Sequence, residues 1–140
     1  MAKPAFLTRR ALLALLSGAA APALPVRAAG ELFVIAHPAA GLSPESIRDV
    51  YIGEKQFSGA VKLVPMDNAA AQADFLAKVM KLEAARYESL WVKKSFRDAL
   101  NPPLLKGSDR EIIDLVRKMP GAVGYLGSSP PEGVLLVQRY

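Results

Sequence analysis

The chain has 140 residues, no cysteine, and a formal net charge of +5 from 18 basic and 13 acidic side chains. Four of the basic residues and none of the acidic ones lie within residues 1–28, so residues 29–140 carry a balance of 14 minus 13, or +1. This composition excludes disulfide bonds and argues against a nucleic acid partner, because nucleic-acid binding needs a basic surface on the folded domain itself.

Residues 1–28 show the pattern of an export signal. Arg9 and Arg10 precede an uncharged apolar run over residues 11–21, and Val26-Arg27-Ala28 offers a small-residue cleavage site. The run is too short to span a bilayer, so we expect a cleaved signal, no stable membrane anchor after cleavage, and a periplasmic or otherwise exported chain from residue 29. The arginine pair also resembles the twin-arginine export motif, so the export route stays open.

Residues 29–140 number 140 minus 28, or 112, which is enough for one domain with one core. The first predicted strand covers residues 31–36, a short apolar run rich in β-forming side chains. Ser43-Pro44-Glu45 then combines an N-cap, a proline at the first helical position and an acid in the first turn. This pattern predicts a short helix that ends before Gly53.

The middle of the chain predicts a strand followed by two helices. Residues 61–65 form the strand, and Pro65 is expected to end it because proline cannot donate to the ladder. Asp67 and Asn68 are expected to cap the first helix, which is apolar over more than half its girth and therefore largely buried. The second helix is predicted over residues 83–97.

The last third predicts a helix and two strands. Ser108 and Glu111 have the spacing of a capping box, and Pro120-Gly121 closes the helix that they begin. Strands are predicted over residues 122–126 and 134–138, joined by a polar loop. The alternation predicts one α/β domain of three layers, with helices flanking a sheet whose strand direction is mixed because the last two strands share a short connection.

No pattern in the sequence predicts catalysis. His37 is the one histidine of the chain, and no serine or acid stands at a recognisable catalytic spacing from it. With one histidine and no cysteine, carboxylates would have to supply nearly all the ligands of a zinc ion. Gly121, Gly124 and Gly127 surround a strand and lack the spacing of a dinucleotide-binding loop. We therefore expect no enzyme activity, no metal and no cofactor.

The segment with the clearest binding potential is residues 64–75, where a strand runs into the helix predicted from Asp67. The free N–H groups of a first helical turn can hold an anion with help from the helix dipole. The predicted ligand-binding residues are Asp67, Asn68, Ala69, Ala70 and Ala71. Every helix has such an end, so ordinary capping is the more frequent explanation of this pattern.

Several segments resemble, in order, the phosphate-type substrate-binding proteins of ABC importers. The similar segments are Val50-Tyr51-Ile52-Gly53, the strand into Asp67, Trp91 followed by Phe96, Pro102-Pro103, and Pro120-Gly121-Ala122-Val123-Gly124-Tyr125. The resemblance implies the fold of a type II periplasmic binding protein, which in full-length members comprises two α/β lobes that close over an anion. This chain has the length of one lobe.

The resemblance also implies where an anion would bind. In that family an arginine, a small residue, an aspartate, a glycine, a serine, a glycine and a threonine hold the anion, four residues before a phenylalanine. Aligned on Phe75, these positions are residues 65–71, where only Asp67 keeps a polar ligand and Pro65 replaces the arginine. Each lost charge-assisted bond is worth about 1.5–3 kcal/mol, so the motif is degenerate. The backbone donors remain.

Two functional hypotheses follow. In the first, the chain is an exported solute-binding-like protein with a degenerate anion motif that binds another ligand or presents its surface to a protein of the cell envelope. In the second, it is a working receptor for phosphate or another small oxyanion, which delivers its cargo to an ABC permease and rebuilds the missing lobe as a dimer.

Overall fold

The computed structural model describes residues 30–140, so the predicted export signal over residues 1–28 lies outside the described part of the chain. The strands are β1 (Phe33–Ala36), β2 (Phe57–Ser58), β3 (Val61–Lys62), β4 (Val64–Asn68), β5 (Leu104–Lys106), β6 (Ala122–Leu126) and β7 (Leu135–Arg139). Five of them form a sheet in the spatial order β5-β4-β6-β1-β7, and β2 and β3 form a separate two-stranded ribbon.

The α-helices of the described residues are α1 (Ile47–Tyr51), α2 (Gln72–Phe75), α3 (Ala84–Asp98) and α4 (Asp109–Lys118). A π-helical segment, Leu76–Met80, continues α2, and two 3-10 turns, Pro38–Ala40 and Pro44–Ser46, precede α1. In the part of the chain that the structure covers, none of these helices is long and apolar enough to cross a membrane.

The sheet is mixed, as the sequence predicts. β4 runs parallel to both β5 and β6, whereas β1 is antiparallel to both β6 and β7. The predicted reason for the mixture was wrong. β6 and β7 are not neighbours, because β1 lies between them and supplies all the antiparallel pairing of this sheet. The connection over residues 127–134 therefore carries the chain back along the sheet, past β1.

The core lies on both faces of the sheet. Alternate residues of β1 point to opposite faces: Val34 and Ala36 belong to the apolar cluster beneath α1, α2 and α3, and Phe33 and Ile35 to the cluster beneath α4. Helices thus cover both faces, which confirms the predicted α/β architecture of three layers.

The strand that leads to the predicted site differs from expectation. β4 does not end at Pro65 but continues to Asn68. The N–H of Val64 donates to the carbonyl of Gly121, on the side of β4 that faces β6. The backbone nitrogen of the next residue, Pro65, therefore faces β5, and the pairing of β4 with β5 begins only at Met66. Pro65 therefore removes no ladder bond.

The helix after this strand also begins later than predicted. α2 starts at Gln72, its N-cap is Ala71, and no side chain caps it. Asp67 and Asn68 instead belong to β4, where they pair with Leu105 and Lys106 of β5. The edge strand β5 was not predicted at all.

Replacing Gly121 with alanine should destabilise the fold. A Cβ at this position would overlap the backbone carbonyl oxygen of Lys62, which cannot move without shifting the start of β4. We expect a loss of about 3 kcal/mol in the free energy of unfolding, measured by urea denaturation. The control is Gly107→Ala, where the added Cβ would meet only the Glu111 side chain at 3.8 Å. Equal effects of the two substitutions would contradict the packing argument.

Candidate functional site

The carboxyl ends of the parallel strands β4, β5 and β6 lie at one edge of the sheet, at Asn68, Lys106 and Leu126. In α/β sheets this edge is where ligands usually bind, because loops and helix starts converge there. The predicted ligand-binding residues 67–71 leave the sheet at this edge. We call it the carboxyl edge.

The carboxylate of Asp67 is buried at the carboxyl edge, with 4% of the residue exposed. Its Oδ1 accepts a hydrogen bond from the Tyr125 hydroxyl at 2.8 Å, and its Oδ2 accepts one from the Tyr87 hydroxyl at 2.9 Å. Tyr125 lies on β6 and Tyr87 on α3, so the carboxylate joins β4 to a neighbouring strand and to a covering helix. Each carboxylate oxygen thus has an internal donor.

Burial decides the ionisation of this group of residues. Loss of hydration raises the pKa of Asp67, and the hydrogen bonds from Tyr125 and Tyr87 lower it by less. Burial, together with the Asp67 charge, raises the pKa of both phenols well above their ordinary value. The two hydroxyls therefore stay protonated at neutral pH and serve as donors.

An aromatic cluster holds one of these donors in place. The Tyr125 ring stacks on Phe75, with centroids 3.9 Å apart and planes 2° from parallel, and Tyr51 meets Phe75 edge-on at 4.6 Å. The Tyr51 hydroxyl donates to the carbonyl of Met66 at 2.8 Å and thereby ties α1 to β4. Phe75, the residue on which the anion motif aligns, is thus part of the core.

Asn68 is fully buried, and its side chain is bonded on both sides. Its Nδ2 donates to Asp109 Oδ1 at 2.7 Å and to the carbonyl of Tyr125 at 2.9 Å. Its Oδ1 accepts from the N–H of Ala70 at 3.0 Å. The side chain therefore links the end of β4 to β6 and to the first residue of α4.

The backbone donors of the predicted anion site also point to internal acceptors. The N–H of Ala69 donates to the Lys106 carbonyl at 2.8 Å, and that of Ala71 donates to the Asn68 carbonyl at 3.0 Å. With the bond from Ala70 to Asn68, all three alanine amides have an acceptor within the chain. Ala69 and Ala70 are exposed and Ala71 is buried. Anion binding by residues 67–71 stays a prediction.

Asp109 is the residue of this edge that the sequence did not single out. Besides its bond to Asn68, its Oδ1 accepts from the N–H of Gly127 at 3.3 Å, and its Oδ2 accepts from the Ser128 hydroxyl at 2.6 Å. The sequence feature that could have indicated Asp109 is its position in the first turn of α4, directly after the N-cap Ser108. The Ser108 hydroxyl accepts from the N–H of Glu111 at 3.4 Å. Asp109 adds a carboxylate to the carboxyl edge.

His37, the histidine considered in the sequence, lies away from this edge, and so does Asp98. His37 caps the first 3-10 turn, where its Nδ1 accepts from the N–H of Ala39 at 3.0 Å. Asp98 is exposed at the end of α3 and pairs with Arg97. The residues over 30–140 contain no cluster of histidine and carboxylate side chains that could hold a metal ion.

Comparison with known proteins shows the fold of the chain. No protein-family model and no curated protein matches it. The chain is similar to a putative phosphate ABC transporter substrate-binding protein with bound phosphate from Clostridium perfringens, with a TM-score of 0.53, 16% identity, and coverage of 79% of this chain and 46% of that one. An ABC-type phosphate transport receptor from Vibrio cholerae has a TM-score of 0.49 at 16% identity over 79% and 47% of the two chains.

The chain therefore spans about half the length of these solved proteins. The similarity to the Clostridium perfringens structure shows a shared fold and confirms the predicted likeness to one lobe of a substrate-binding protein. Since neither sequence identity exceeds 16%, the comparison concerns the fold alone.

Removing either phenol hydroxyl should destabilise the chain. Tyr125→Phe or Tyr87→Phe leaves one oxygen of the buried Asp67 carboxylate without a donor, which costs about 1–3 kcal/mol of the free energy of unfolding. Urea denaturation measures the loss, and Tyr140→Phe, near the chain end, is the control. A loss no greater than that of the control would contradict the role of these hydroxyls.

The raised pKa of Asp67 predicts a pH dependence of stability. The ordinary carboxyl value is 3.8, so between that pH and the raised value the folded chain holds a proton at Asp67 that the unfolded chain has released. The stability that Asp67 contributes is therefore fully present below pH 3.8 and is lost as the pH rises through the raised pKa. Relative to Asp67→Asn, which cannot ionise, the parent should lose stability over this interval in urea titrations. A parent that gains stability there would contradict the assignment.

Proposed function

We propose that this chain is an exported, non-catalytic binding protein of the cell envelope, built on the substrate-binding fold, whose phosphate motif has become part of the folded core. One observation carries the proposal. Both Asp67 carboxylate oxygens and the N–H groups of Ala69, Ala70 and Ala71 have hydrogen-bond partners inside the chain. An anion at the carboxyl edge would have to displace these bonds.

The charges at this edge support the same conclusion. Pro65 stands where the resemblance implies an arginine, so the strongest cationic ligand is replaced by a neutral ring. The carboxylates of Asp67 and Asp109 both lie at the edge, joined through β6 and Asn68. Negative charge close to a bound anion raises its free energy, most of all where burial weakens solvent screening. Phosphate binding here would therefore be weak.

The proposed location rests on the first 28 residues. Their uncharged run between an arginine pair and a small-residue site supports export, and the composition of the remaining chain supports a domain without disulfides. An exported binding protein without a phosphate site would take another ligand or contact a protein of the envelope. The proposed function does not require a catalysed reaction.

A working phosphate receptor is the second candidate, and one residue favours it. Lys106 lies opposite Asn68 in the pairing of β4 with β5, so a cation stands at the carboxyl edge. Its side chain has no hydrogen bond or ion pair within residues 30–140. A receptor of this kind would hold phosphate or another small oxyanion, deliver it to an ABC permease, and need a second lobe or a second copy to enclose it.

Phosphate binding separates the two candidates. We expect the thermal unfolding midpoint of the protein to be the same in millimolar phosphate, sulfate and chloride at matched ionic strength, because the donors are engaged internally. A ligand present at about 100 times its dissociation constant and bound only by the folded state would add about 2.7 kcal/mol. Such a change is readily visible as a rise of the midpoint.

Two variants decide the origin of any rise. The first variant is Lys106→Gln, and the second is Lys118→Gln on the far part of α4. If phosphate alone raises the midpoint, and only Lys106→Gln abolishes that increase, the proposal is overturned in favour of the receptor. An increase common to all three anions reports screening of charge and supports no receptor.

A further inference from the structure

A cleft lies at the opposite end of β4 and β5 from the carboxyl edge. It has a volume of about 350 Å³, within the range of small-ligand sites. Its walls come from the end of α1, from the β2–β3 ribbon with the start of β4, and from the connection between α3 and β5. Because β4 has five residues, about 13 Å separates its two ends. We call this concavity the amino-end cleft.

Much of the lining of the amino-end cleft is apolar. Leu63 and Pro103 are buried, and Trp91 is 6% exposed. The indole Nε1 of Trp91 donates to the carbonyl of Tyr51 at 3.1 Å, so the ring needs no polar partner from a ligand. Leu100 and Pro102 extend the apolar surface towards solvent. Such a surface favours a ligand with a hydrocarbon body.

The charges in the amino-end cleft are all of one sign. Lys55 and Lys62 line it, and among the described residues no acidic side chain does. Neither lysine side chain has a hydrogen bond or ion pair within the described chain. The nearby Lys94 differs, because its Nζ pairs with Glu54 at 2.9 Å. Two ammonium groups without carboxylate partners beside an apolar wall favour a ligand with a negative end.

The wall of the cleft is rigidly built. Gly53 has a φ of 80°, and an added Cβ would lie 2.9 Å from the Trp91 ring. Ala99 has a φ of 55°, which non-glycine residues seldom adopt and which tends to persist where surrounding structure enforces it. The adjacent prolines at 102 and 103 restrict the chain further. A preformed wall lowers the entropy lost when a ligand binds.

We propose that the amino-end cleft binds a small organic anion, a carboxylate carried on a compact apolar body. The hydrocarbon part packs against Trp91, Leu63 and Leu100, and the carboxylate lies within reach of the ammonium groups of Lys55 and Lys62. The cleft contains Pro65, one of the positions aligned with the anion motif, but it contains neither Lys106 nor any of residues 67–71. Binding in the cleft and phosphate binding at the carboxyl edge are therefore tested on different residues.

Trp91 provides a direct test, since it is the only tryptophan of the chain and lines the cleft. Its emission is followed while cyclohexanecarboxylate is added, and again while cyclohexanecarboxamide, a neutral molecule of the same shape, is added. We expect a saturable change with the carboxylate and at least about tenfold weaker binding of the carboxamide, because a charge-assisted bond is worth roughly that factor or more.

Substitutions then locate the charge recognition. The double variant Lys55→Gln/Lys62→Gln should bind the carboxylate about tenfold more weakly and the carboxamide with unchanged affinity. Lys118→Gln, at the end of α4, should leave both affinities unchanged. Far-ultraviolet circular dichroism verifies that the variants are folded, and the comparison of the two ligands on the parent chain needs no variant.

Three results would overturn the inference. The first is a change in Trp91 emission that does not saturate as the carboxylate is added. The second is equal affinity for the carboxylate and the carboxamide. The third is full competition by inorganic phosphate, which would make the cleft a general anion site. Because the emission assay reports on Trp91 and the phosphate assay depends on Lys106, failure of one proposal is distinguishable from failure of the other.

Discussion

The structure depends on a carboxylate buried between two tyrosine hydroxyls. Burial of Asp67 costs hydration free energy, and the bonds from Tyr87 and Tyr125 offset that cost only if α3, β4 and β6 hold one relative position. The same constraint presses the Tyr125 ring onto Phe75 and so positions α2. These two hydrogen bonds thereby couple α3 directly, and α2 through Phe75, to the sheet.

The same constraint leaves few free polar groups at the end of β4. The polar groups that close the end of β4 bond to each other: Asn68 joins Asp109 and Tyr125, and the alanine amides find carbonyl and amide oxygens. These bonds join β4 to its neighbours in the sheet, and helices cover both faces of that sheet. The amino-end cleft, with its unpaired lysines, offers a second place where the fold can bind a molecule.

Local patterns predicted most of the elements for reasons that the structure makes clear. The helix after Ser108 forms as predicted because its cap is local, and α3 and β6 follow from periodicity and from apolar β-forming runs. Pro65 misled the prediction because its missing N–H matters only where a neighbouring strand needs it. β5 escaped notice because an edge strand of three residues, largely exposed, has no apolar alternation to reveal it.

The sequence by itself determined the α/β class and the absence of disulfides. Only the tertiary structure decided what the remaining polar groups do. The donors to Asp67 lie 20 and 58 residues away, and the acceptor for Asn68 at Asp109 lies 41 residues away. Partners so distant depend on how strands are ordered across the sheet, and no local propensity or spacing encodes that order.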